Sequence, residues 1–177
     1  MGGAQRGQAE VDGACNLWSS FSDKPNTVTV LLEKARIVAS LITMNCDGTQ
    51  RAVEMLKDAL GDATRAPFGE NDARRVMAET AVLLIRIADQ CAFEVLESES
   101  REILMDELEM SVGLALEKSG VELAAFAQLL SERMLEYVHY QAWLPGETEV
   151  CKGTLLWEFG KKIGAIVDLK EHALFNV

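Results

Sequence analysis

Histidine is nearly absent from this sequence: 177 residues contain two, His139 and His172. A zinc centre of three histidines therefore cannot be built within one chain. Nucleophile–imidazole pairs have few bases to draw on, and no Gly-x-Ser-x-Gly elbow occurs. Side chains other than histidine can still act as acids and bases, but the chain reads as non-enzymatic, with no cofactor implied. Basic residues are also in short supply. Lys and Arg number 17 against 28 Asp and Glu, a net charge of −11, and the cations are not clustered. Nucleic acid and anionic membrane surfaces both require clustered cations, so both are set aside as partners.

Long apolar runs are missing as well. None approaches the ~18–20 residues of a membrane span. The opening MGGAQRGQAE has no signal-peptide core, and Arg6 stands where a myristoylation site wants Ser or Thr. The four cysteines, Cys15, Cys46, Cys91 and Cys151, form no CxxC pair. Zinc ribbons and thioredoxin motifs are excluded on that ground, and thiols in a reducing, cytoplasmic setting are expected.

What is present is an ordinary globular balance, 49% apolar and 25% charged. A chain of this length buries roughly 70% of its unfolded surface, enough for a core without disulfides or metal. The negative charge is concentrated. Residues 71–147 hold 15 acidic and 6 basic groups, whereas 148–177 hold 4 of each.

Helical periodicity runs almost unbroken from Thr27. Helices are expected at about 27–45, 48–60, 71–97, 99–118, 120–142 and 148–167. The first carries Leu31, Ala35, Val38 and Ile42 on one face. Asn45–Gly48 is expected to break it, with Asp47 capping the second. The third has a stripe of Met77, Ala81, Leu84, Ala88, Cys91 and Val95, widened by Leu83 and Ile87. "SGVE" at 119–122 matches Ser-x-x-Glu and is expected to start the fifth helix. Strand signals are scarce; "TVTVLL" at 27–32 runs straight into helical spacing. The expectation is an all-α, single-domain bundle of five or six helices over 27–168. A Gly/Ser-rich N-terminal arm (1–26) and a short tail (169–177) flank it.

Several features invite chemistry. Glu136 and His139 form Glu-x-x-His, which in di-metal bundles sets two ligands side by side on one helix. A wheel at 100° per residue, however, puts Leu123, Phe126, Leu130, Met134 and Tyr137 toward the core. Glu132, Glu136, His139 and Trp143 fall on the opposite face, whereas a bundle metal site projects inward. Asp168 and His172 would make only another half-site. The pair is therefore expected to be surface, and no metal is assigned.

Other features suit binding. Residues 94–109 contain seven acidic residues and one basic, with Glu99, Glu102, Asp106 and Glu109 on one helix side. That side is either a solvated face or a docking surface for a basic protein. Trp143, near Tyr140, has the composition of an interface anchor. Gly153, Gly160 and Gly164 share one side of the last helix with Trp157. That side suits close helix packing, self-association or a small-ligand groove. The leading expectation is an acidic helical protein that binds another protein, with self-association a second mode. The alternatives are a small-molecule domain with a pocket among Phe126, Met134, Tyr137, Trp157 and Phe159 and, behind it, a metal-dependent helical enzyme using Glu136 and His139.

Overall fold

A computed structural model describes residues 27–60, 68–140 and 153–168. The described residues form five helices and no strand: α1 Val28–Leu60, α2 Glu70–Val95, α3 Ser98–Lys118, α4 Leu123–Tyr137 and α5 Leu155–Ile166. The chain is all-α. The arm at 1–26 and the tail at 169–177 lie outside the described residues.

The expected break at Asn45–Gly48 is absent, and α1 is one helix of 33 residues. Glycine weakens a helix by roughly 0.5–1 kcal/mol but does not end it. Asn45 points back along the helix, its Nδ2 donating to the Leu41 carbonyl at 2.8 Å. Asp47 therefore lies inside the helix and caps nothing. The deciding force is the core. Leu31, Ala35, Ala39, Ile42, Cys46 and Val53 are all buried on one side, spanning the supposed break.

α2 is central and packs against all four other helices. Eight consecutive residues, Val76 to Leu83, are buried, together with Ile85, Ala88, Asp89 and Ala92. Even widened by Leu83, which is buried, and Ile87, which is half-buried, the expected stripe was too narrow. Leu84 and Cys91 are half-buried and Val95 is exposed. Alanines at 73, 78, 81, 88 and 92 keep the helix thin enough to be surrounded. The main core joins α1, α2, α3 and α4. A smaller one of Val53, Val76, Ile163, Ile166 and Val167 seats α5 against α1 and α2.

"SGVE" does the opposite of what was expected. Ser119 ends α3 rather than starting α4. The Gly120 N–H donates to the Glu117 carbonyl at 2.9 Å and the Val121 N–H to the Leu116 carbonyl at 3.1 Å. These are the two bonds of a Schellman stop, with Gly120 in the left-handed region at φ 85°. Buried Val121 and Leu116 supply its apolar contact. Only after this turn does α4 begin, with Glu122 at the N-cap position but no side-chain capping bond. That helix ends at Tyr137, where Gln90 of α2 takes the Tyr140 carbonyl at 3.1 Å. α5 begins later than expected, at Leu155; Thr154 Oγ1 accepts from the Trp157 N–H at 3.2 Å.

The two glycines should respond in opposite ways. Gly120→Ala is expected to destabilise by about 1–2 kcal/mol, the cost of a left-handed L-residue, with the new Cβ 3.0 Å from Arg74 Nε as well. At Gly48 a Cβ meets nothing within 4 Å. Gly48→Ala should therefore stabilise by up to about 1 kcal/mol. Urea denaturation of dilute protein measures both.

Candidate functional site

The most polar part of the interior lies where α2, α4 and α5 meet. Glu79 falls within the buried stretch of α2. A carboxylate there needs a partner, since an unpaired buried charge is very costly. Arg133 of α4 supplies it: Nε lies 3.1 and 3.0 Å from the two carboxylate oxygens, and Nη2 lies 2.6 Å from Oε1. Nη1 of the same guanidinium donates to Glu136 Oε2 at 3.1 Å. The other Glu136 oxygen meets Lys162 Nζ of α5 at 2.7 Å. One chain of charges, Glu79–Arg133–Glu136–Lys162, thus ties three helices together. Beside it, buried Glu158 pairs with Lys161 at 2.6 Å.

Tyr137 lies next to this chain. It is fully buried, and its hydroxyl has no hydrogen-bond partner among the described residues. Burial pushes the phenol up, and the negative charge of Glu79 adds to that, so the ring stays neutral. Burial also tends to raise Glu136, but the Lys162 hydrogen bond and charge, with Arg133, hold its carboxyl below the usual range. Arg133 is held more firmly charged, chiefly by its hydrogen bond to Glu79.

This arrangement alters the reading of Glu-x-x-His. Glu136 does not stand on an open polar face; it is half-buried under α5 with both oxygens on cations. His139 is exposed and lies beyond the Val138 cap, so the two are not successive ligands on one helical turn. Positive groups already occupy the carboxylate, an environment that repels a metal ion. Among the described residues no three His, Cys, Asp or Glu side chains are grouped to hold one. Asp168 is exposed; His172 and Trp143 lie outside the described residues.

A second charged cluster shapes the surface. Buried Asp89 accepts from Arg86 Nη1 at 2.8 Å and from Arg101 Nε at 2.8 Å. Arg101 also lies over the exposed Phe93 ring, 5.3 Å from its centroid. Arg101 is the one basic residue of 94–109, and it turns inward. Glu99, Glu102 and Asp106 are left exposed on α3 with no ion pair among the described residues. Glu109, half-buried beside them, has its carboxyl pushed up by burial, then by the charges of Asp106 and Asp89.

The glycine side of the last helix is not built as expected. Gly153 lies in the turn before α5, at φ 85°. Only Gly160 and Gly164 lie on α5. Gly164 is buried, whereas Gly160 has nothing within 4 Å of where a Cβ would stand. Trp157 is half-buried. Of the expected pocket lining, Phe126 and Tyr137 belong to the core, and Met134 and Phe159 pack against it. Buried Cys46 is equally quiet, its thiol pushed up to about 12 by burial and by Asp47.

The Glu79–Arg133 pair was not foreseen. Its partners are 54 residues apart. The one available signal was a glutamate inside the apolar run of 76–88.

Comparison with protein-family models, curated proteins and solved structures returned no match.

Two predictions follow from the charges. Arg133→Met should cost about 3 kcal/mol by leaving Glu79 buried and unpaired. Adding Glu79→Met should recover most of that loss, and a double-mutant denaturation cycle reads both. The carboxylates predict opposite pH effects. Glu136, held low, contributes stability at neutral pH that is lost as pH falls through its depressed folded pKa. Glu109, held high, favours the fold only in acid, and that contribution is lost as pH rises through its elevated pKa. At pH 7, Glu136→Gln should lower Tm and Glu109→Gln should raise it. Both differences should shrink below the ordinary carboxylate range, as thermal melts across pH will show.

Proposed function

We propose that this chain is a non-catalytic helical module that binds another protein through the acidic face of α3. One observation carries the reading: Glu99, Glu102 and Asp106 stand exposed without cationic partners among the described residues, while Arg101, the nearest cation in sequence, is held on Asp89. Buried carboxylates elsewhere in the fold are neutralised, Glu79 by Arg133, Asp89 by two arginines and Glu158 by Lys161. A negative face of this kind favours a basic partner, because complementary charge steers encounter and rejects acidic competitors. A membrane-embedded role has no support, since no described helix is long and apolar enough to cross a bilayer. The small-molecule alternative is weakened because Phe126 and Tyr137 are used by the core.

The test compares the wild-type chain with Glu99→Lys/Glu102→Lys/Asp106→Lys in affinity capture with quantitative mass spectrometry. Basic proteins should be enriched on the wild type alone. Their association rate should fall steeply as salt shortens the Debye length from ~10 Å at 0.1 M to ~3 Å at 1 M. Capture that survives both the substitutions and the salt counts against this face.

A further inference from the structure

We propose that the outer face of α1 pairs antiparallel with the same face of a second copy of this chain. The observation is a second apolar stripe on a helix whose opposite side is already used. Val30, Ile37, Leu41, Met44, Gly48 and Met55 follow one another at steps of seven, four, three, four and seven. At 100° per residue these six positions lie within about 30° of one direction, pointing away from Leu31, Ala35, Ile42, Cys46 and Val53. Val30 is half-buried. The other large side chains are open: Ile37 56%, Leu41 42%, Met44 69% and Met55 72% exposed. Scattered apolar surface needs no explanation, but an aligned stripe about 38 Å long does.

Gly48 and the flanking charges select the occupant and the direction. Parallel pairing in register would stack Gly48 on Gly48 and leave a gap. Antiparallel pairing about a two-fold axis between residues 42 and 43 instead sets Ile37 over Gly48 of the second copy. There a Cβ would meet nothing within 4 Å, so the side chain has room. The same register opposes Leu41 to Met44 and Val30 to Met55, each contact occurring twice, as a two-fold interface requires. In antiparallel helices each flank meets its own equivalent. Glu33 and Arg51 share a flank, about 50° from the stripe. Both are exposed, and neither has an ion pair among the described residues. The register brings Glu33 of one copy to Arg51 of the other on the same flank, twice per dimer. This pairing does not involve α3 and does not depend on the reading given for it.

Sedimentation velocity of the full chain, from micromolar to submillimolar concentration, tests the proposal. The altered residues are exposed, and circular dichroism first establishes that each variant is folded. Wild type should show a monomer–dimer equilibrium. Glu33→Arg and Arg51→Glu should each weaken it about tenfold by opposing like charges. The swapped double variant, Glu33→Arg/Arg51→Glu, should return to within about threefold of wild type, because a coupled pair is not additive. Met44→Glu should abolish the dimer. A wild type that stays monomeric throughout overturns the proposal, as does a dimer indifferent to Met44→Glu or a swap that fails to restore. None of these outcomes bears on protein capture by α3, which its own lysine variant reads.

Discussion

Everything else in this fold is arranged around the burial of α2. A helix covered by four others cannot keep a polar side, yet α2 carries Glu79 and Asp89 within its buried surface. Each ionised carboxylate there requires a matching cation, because desolvation without a partner costs more than packing returns. Arg133 must therefore lie on the face of α4 that meets α2, and Arg86 and Arg101 must converge on Asp89. Two charged contacts thereby set the rotation of α4 and the start of α3 about the central helix. Apolar burial alone is not directional enough to do so.

That interior demand has a consequence at the surface. The chain has few cations, and the core takes several of them. Arg101, Arg133, Lys57 and Lys162 all make contacts to carboxylates within the described structure. The acidic character of α3 is thus more than a matter of composition. A sequence with the same count but with Arg101 turned outward would present a partly neutralised face. Asp89 decides otherwise; the Glu109 carboxyl beside this face is pushed up first by burial and then by the charges of Asp106 and Asp89.

α1 has the opposite problem. It is long, and one side is fully used against α2 and α3. Its continuity through Gly48 matters for the outer side, because only an unbroken helix keeps Ile37, Leu41, Met44 and Met55 in line. Two short helices with a turn between them would have scattered those residues. The same local fact, a glycine tolerated inside a helix because the core spans it, removes an expected break and creates an aligned apolar surface.

The sequence by itself determined the fold class, the approximate extents of α2 and α3, and the core stripe of α4. These follow from repeating apolar spacing, which every residue in a helix reports locally. The acidic side of α3 was legible for the same reason, as were the core positions Leu31, Ala35 and Ile42 of α1. Tertiary structure decided what depends on partners distant in the chain. It made α1 continuous, turned "SGVE" into a helix stop, drew Glu136 onto Lys162, and joined Glu79 to Arg133 across 54 residues. Local signals state what a residue prefers. Which glycine bends, and which charge finds a partner, is settled only when burial assigns an energy to the alternatives.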